Sequence, residues 1–190
     1  MIHNLNMEME FIRQSGVPEC VNFPHTWNSF DGQDGRNNYY SGICSYTRTF
    51  YCLNFDRDAY RVYIEFLGVN SIAEVTLIGD SIMHHEGGYS TFRKDTTEVT
   101  LNGNRIMYHE GGYSTFRKDI TEFLENENTL QVTVDNSVNN QKYPQMAQFT
   151  FYGGVYRNVQ LIVVSKDHFE MDYYGETGTK ITPERKVMLG

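Results

Sequence analysis

Apolar and polar residues alternate with a period of two along much of this chain. Tyr60, Val62, Ile64 and Phe66 alternate with Arg61, Tyr63, Glu65 and Leu67. Ala73, Val75 and Leu77 alternate with Glu74 and Thr76, and Leu130, Val132 and Val134 with Thr129, Gln131 and Thr133. Val155, Val159, Leu161 and Val163 continue the pattern with one phase slip. Successive side chains of a strand point to opposite faces, so this period marks half-buried strands. The runs are short and rich in β-branched and aromatic residues, which pack well on a pleated surface. Only Ile120 to Glu127 is spaced like a helix, for barely two turns. The pattern predicts an all-β sandwich, with a jelly roll as the arrangement for so many short strands.

Turn chemistry fits this reading. Asn102-Gly103 stands between two alternating runs, and both residues accept the positive φ of a two-residue hairpin turn. Asp31-Gly32-Gln33-Asp34-Gly35-Arg36-Asn37-Asn38 is a long polar loop of the kind that carries function on a rigid sandwich. The alternation loosens after Ser165 and resumes only as a strand-like start at Lys180-Ile181-Thr182-Pro183. These changes predict one domain over residues 1–165 and a linker with the first strand of another over 166–190.

A repeat interrupts the pattern. Residues 74–97 recur without gaps at 98–121, differing at five of 24 positions: Ile78/Asn102, Asp80/Asn104, Ser81/Arg105, His84/Tyr108 and Thr96/Ile120. Solenoids generally need three or more stacked units, so two copies within a sandwich read as a local tandem duplication. Either copy, or a hybrid, fits the one hairpin position. Local chemistry favours the second: Asn102 suits a hairpin turn where β-branched Ile78 resists it, and Ile120 supplies an apolar anchor that Thr96 lacks. The first copy is therefore expected to be extruded or to form an irregular edge hairpin.

Composition narrows the function. The 190 residues carry 16 basic and 24 acidic side chains, a net charge of −8, with a mean hydropathy of −0.52. Nucleic acid is an improbable class of partner for so acidic a chain, because neutralising phosphates needs concentrated positive charge. No apolar run approaches the roughly 18–20 residues that span a bilayer, so no membrane partner is expected. The start, MIHNLNMEMEFIRQ, shows no signal-peptide pattern, and with three cysteines (Cys20, Cys44, Cys52) it predicts a cytoplasmic protein with reduced thiols. No metal site and no cofactor are expected: His84, His85 and Glu86 are adjacent on a strand and point to alternate faces. Trp27 reads as a buried anchor rather than a sugar platform with His25, and Arg157 as the partner of a structural carboxylate.

Several motifs stand together in one order. They are Val21-Asn22-Phe23-Pro24-His25-Thr26-Trp27-Asn28, the Asp31 to Gly35 loop, Tyr39-Tyr40-Ser41-Gly42, Gly68-Val69-Asn70-Ser71 and His109-Glu110-Gly111-Gly112-Tyr113-Ser114. Val134-Asp135-Asn136-Ser137, Tyr143-Pro144-Gln145-Met146, Phe149 to Arg157 and His168 to Gly175 complete the series. In this order they resemble the N-terminal sugar-binding domain of glycoside hydrolase family 2, of the β-galactosidase type. The resemblance implies a galactose-binding-like jelly roll that precedes an immunoglobulin-like domain and a catalytic barrel. Both catalytic glutamates of the family's retaining mechanism belong to that barrel, so no catalytic residue is expected here. It implies a carbohydrate partner, β-galactoside-like, with the parent enzyme's catalytic and immunoglobulin-like domains as protein partners.

By the same resemblance, Asn37, Asn38, Tyr39 and Gln148 are candidate sugar-binding residues. Relatives with this pattern place aspartate at position 148, and glutamine keeps hydrogen-bonding capacity but loses the charge. His109, Glu110 and Tyr113 form a second candidate group, for which a glycine bulge with a packed tyrosine is the structural alternative. The function implied is a non-catalytic carbohydrate-binding and scaffold domain. The alternatives are a stand-alone lectin-like module and a decayed gene fragment without activity.

Overall fold

A computed structural model of the chain describes residues 1–14, 16–31, 40–52, 56–70, 72–77, 80–86, 99–101, 104–110, 115–136, 153–169 and 171, with 72–77, 80–86, 99–101 and 104–110 described as backbone. The strands are β1 (Ile2–Asn4), β2 (Met9–Arg13), β3 (Glu19–Val21), β4 (His25–Thr26), β5 (Ile43–Tyr51), β6 (Tyr60–Phe66) and β7 (Ile72–Leu77). They continue as β8 (Asp80–Glu86), β9 (Val99–Leu101), β10 (Asn104–Glu110), β11 (Phe116–Asp119), β12 (Glu127–Asp135), β13 (Gly154–Val155) and β14 (Val159–Ser165). Two sheets face each other: one of order β1-β14-β6-β11, the other of order β3-β2-β5-β12-β7-β8-β10-β9. β13 and β4 form a short third ladder. Among the described residues no helix is long and apolar enough to cross a membrane.

The alternating runs supply the core between the sheets. Val62, Ile64 and Phe66 of β6 and Leu130, Val132 and Val134 of β12 are buried, as their period requires. β2 and β5 add Met9, Phe11, Cys44, Tyr46 and Phe50. Tyr60, expected on the same row as Val62, lies at the rim and is exposed. The helical expectation for Ile120 to Glu127 is corrected: only Thr121–Phe123 forms a 3-10 turn, and Leu124 is extended. Ile120 and Leu124 are both buried, so their four-residue spacing imitates a helix while the backbone follows the sheet. The Asp119 carboxylate precedes this turn and accepts from the Thr121 backbone N–H at 2.9 Å and its hydroxyl at 2.5 Å.

The outer face of the four-stranded sheet carries a buried ion pair. Arg117 donates from Nε to Glu65 Oε1 at 2.8 Å, its Nη2 lies 2.6 Å from the same oxygen, and Gln160 donates to Glu65 Oε2 at 2.7 Å. Arg117 also donates to the Met171 carbonyl. Met171 and His168, which follow β14, thus lie against this face, with His168 bonded to the Tyr63 hydroxyl at 2.9 Å.

The two repeat copies divide the work. β7, from the first copy, pairs with β12 over six residues, from Leu130↔Leu77 to Asp135↔Ile72. β11, from the second copy, pairs with β6 from Phe116↔Phe66 to Asp119↔Tyr63. The hairpin β9–β10 is inserted between them and extends the larger sheet. The expectation that the second copy fills the hairpin position is therefore corrected to a hybrid. The reason lies at the flanks: β7 begins with Ile72-Ala73, for which the second copy has only Thr96-Thr97, and β9 starts later, at Val99. At the other end the second copy keeps Ile120 in the core, as its apolar character predicts. β7 and β8 pair antiparallel up to Leu77↔Asp80, and Ile78 itself lies outside the described residues. The expected Asn102-Gly103 turn itself lies outside the described residues.

Candidate functional site

Register aligns the described residues that flank the candidate loops at one end of the larger sheet. Ile43 of β5 pairs with Asp135 of β12, Asp135 with Ile72 of β7, Ile72 with Glu86 of β8, and Glu86 with Glu110 of β10. This row crosses five strands, four steps of about 4.8 Å, or roughly 19 Å. The segment holding Asn37, Asn38 and Tyr39 precedes Ile43, and the one holding Gln148 follows Asp135. Glu110 itself ends the row, and the segment holding Tyr113 follows it. Asn37, Asn38, Tyr39, Tyr113 and Gln148 lie outside the described residues. His109 and Glu110 sit on the backbone of β10, opposite His85 and Glu86 of the first copy. They lie four strands from β5, within the inserted hairpin, and the glycines of the expected bulge, Gly111 and Gly112, lie outside the described residues.

The bases of the two main segments are tied together by polar side chains. The Tyr40 backbone N–H donates to Asp31 Oδ2 at 2.9 Å, which closes the loop of residues 32–39 at its neck. The Asn136 side chain accepts from the Gly42 N–H at 2.8 Å and donates to the Tyr40 carbonyl at 3.5 Å, while Ser41 donates to the Asn136 carbonyl at 2.6 Å. Asn136 also begins the 137–152 segment. The far end of that segment, Gly153, donates its N–H to Asn28 Oδ1 at 2.9 Å. A Cβ on Gly153 would lie 2.3 Å from Trp27 Cζ2 and 2.6 Å from Asn136 Nδ2, so only glycine allows these elements to meet. Gly154 follows at φ +126°, exchanging two backbone hydrogen bonds with Asn70.

An aromatic layer supports this base. Trp27 is buried and stacks with Phe11 at 6.2 Å between ring centroids, and Phe11 meets His25 and Tyr46 at 4.8 and 4.9 Å. Trp27 is an anchor, as its residue type predicts, and His25 belongs to the same layer, with Nδ1 2.9 Å from the Tyr46 hydroxyl. Burial pulls the His25 pKa below 6.5, and the nearby Arg13 charge acts in the same direction. Burial also pushes Tyr46 far up and the Cys44 thiol to about 12, so both stay protonated and neither is a nucleophile at neutral pH. Arg13 lies over the Tyr40 ring at 5.5 Å and donates to the Trp27 carbonyl at 3.4 Å.

Arg157 is exposed, its guanidinium lies 5.8 Å from the Tyr156 ring, and among the described residues no carboxylate pairs with it. A shallow depression lined by Glu8, Glu10, Thr47, Arg48 and Thr49 opens midway along β5, away from the loop end. The residues that sequence reasoning missed are the ones holding the loop bases: Asn28, Asp31, Asn136 and Arg13. Asn28, Asp31 and Asn136 stand within the motifs of the resemblance, but nothing in those motifs marks the bonds they make.

Comparisons with known proteins give this end of the sheet its context. No family model matches the chain. It is 28% identical over 182 residues to a β-glucuronidase of Bacteroides fragilis, covering 95% of this chain and 23% of that protein. It is 27% identical over 173 residues to a β-galactosidase of Thermoanaerobacter pseudethanolicus, covering 90% of this chain and 20% of that one. Among solved structures, the FMN-binding β-glucuronidase of Faecalibacterium prausnitzii L2-6 superposes with a TM-score of 0.72 at 35% identity, over 92% of this chain and 24% of that chain. The chain thus spans less than a quarter of the length of each of these relatives.

Proposed function

Because the chain is homologous to one part of the β-glucuronidases and β-galactosidases of glycoside hydrolase family 2, we propose that it is a non-catalytic scaffold that supplies the rim of a sugar pocket. In this reading the loops at the Ile43–Asp135–Ile72–Glu86–Glu110 end lend hydrogen-bonding side chains to a β-linked galactoside or glucuronide. Asn37, Asn38, Tyr39 and Gln148 are the main candidates, and His109, Glu110 and Tyr113 extend the rim. A carboxylate pair for glycoside hydrolysis would come from another domain of the parent enzyme. The observation that carries the reading is the convergence of the loop bases: Asp31, Asn28 and Asn136 fix the ends of the 32–39 and 137–152 segments within one hydrogen-bonded cluster. A rim built this way is held from below, as a preorganised binding site requires.

Amide chemical-shift mapping tests the proposal directly. Titration with galactose and with glucuronate is expected to move the signals of residues 37–40 and 146–149 while those of β1 and β14 stay fixed. Asn38→Ala should weaken the shifts. Perturbation confined to other surfaces, or none at the highest soluble sugar concentration, would overturn the rim assignment.

A further inference from the structure

The inserted hairpin pairs with the first copy in an unusual way. β10 lies parallel to β8, with Met107 opposite Met83, Tyr108 opposite His84, His109 opposite His85 and Glu110 opposite Glu86. Every partner is 24 residues away (107 − 83 = 24), which is the repeat period, and Val99 faces Val75 with the same offset. The chain therefore pairs the two copies of its own sequence in register, like on like except where Tyr108 faces His84. This is the geometry by which identical segments of separate molecules stack.

The sandwich does not need this hairpin. β7 lies beside β12 and β11 beside β6, so both sheets keep their core strands without β9–β10. The hairpin joins the rest of the chain through residues 87–98 on one side and 111–114 on the other. Twelve residues reach up to about 40 Å when extended and the four of 111–114 about 14 Å, so an exchange brings the two copies together beside the end of β10. A second molecule presents the same β8, so exchange in trans would restore the same ladder with no new sequence requirement. Such an exchange is reciprocal and closes on two subunits.

We propose that the β9–β10 hairpin is a self-association element, which docks on β8 of a second copy of this chain in the same parallel register. The pairing needs no ligand, and in the exchanged dimer His109 and Glu110 of β10 would stand beside β8 of the second copy. It predicts a dimer that forms with rising concentration and is held through the duplicated segment alone.

Two measurements on the full chain test this. In a Cys20→Ser background, a Met83→Cys chain and a Met107→Cys chain are mixed, refolded together and oxidised. A crosslinked heterodimer is expected, well above that from a control mixture of Glu10→Cys and Met107→Cys chains. Light scattering of the unmodified chain should show the apparent mass rising from one chain towards two. Deletion of residues 87–110, which joins Glu86 to Gly111 and leaves one repeat copy, should give a chain that stays at one mass with its strand signal intact. An unmodified chain that remains monomeric throughout, a heterodimer yield equal to the control, or a deletion variant that dimerises equally would overturn the proposal.

Discussion

Arg117→Ala strikes the fold where the second repeat copy is locked to the sandwich. Both members of its ion pair are nearly inaccessible, with side chains 7% exposed for Arg117 and 5% for Glu65. The substitution removes the Nε–H bond of 2.8 Å, the Nη2 contact of 2.6 Å and the bond to the Met171 carbonyl. Gln160 still donates to Glu65 at 2.7 Å, yet the buried carboxylate is left without its counter-charge. Breaking a buried pair from one side costs about 3–5 kcal/mol. For a chain of this length each kcal/mol lowers the Tm by about 2–4 °C, so a fall of roughly 6–20 °C is expected. Urea unfolding followed by circular dichroism and intrinsic fluorescence would measure it. Replacing both partners, Glu65→Met with Arg117→Met, should recover much of the loss, because a well-packed apolar pair is often nearly neutral against the ion pair. An Arg117→Ala chain within about 1 kcal/mol of the parent would refute the reasoning, since exposed pairs behave that way.

Three other outcomes follow from the same structure. Because Arg117 holds the site against Glu65, Arg93→Ala in the first copy should leave that ion pair in place and lack the loss expected of Arg117→Ala, and an effect as large as that of Arg117→Ala would reverse the assignment of the copies. Gly153→Ala should destabilise by about 1–3 kcal/mol through overpacking against Trp27, read from the urea midpoint; an unchanged midpoint would contradict the close approach. Stability should fall as the pH drops below about 6.5, because His25 has a lowered pKa and the unfolded chain then binds the proton first. His25→Gln should flatten that part of the pH–stability curve, and an unaltered slope would contradict it.

The core was readable where one face of a strand is plainly apolar. β6 and β12 are such strands, and their buried rows match the alternation of Val62, Ile64 and Phe66 and of Leu130, Val132 and Val134. β5 was harder to see, because ICSYTRTFY places amphipathic tyrosine on both faces and carries Arg48 on the row of Tyr46 and Phe50. The choice of repeat copy defeated local reasoning. Turn preference at Ile78 or Asn102 pointed one way, whereas the residues flanking the repeat, Ile72-Ala73, decided the pairing with β12. The candidate loops were legible as polar, glycine-rich stretches. Their attachment was not, because Asn28 holds Gly153 across 125 residues and Asn136 holds Gly42 across 94, bonds without a local signature.

The central claim, a saccharide rim without the groups that cleave glycosides, meets its most direct test in a hydrolysis assay. Purified chain is incubated with the nitrophenyl β-glucuronide and β-galactoside, and nitrophenol release is followed. The expected result is a rate equal to the blank for both substrates. Sustained release that scales with the amount of chain and persists through rechromatography would contradict the account.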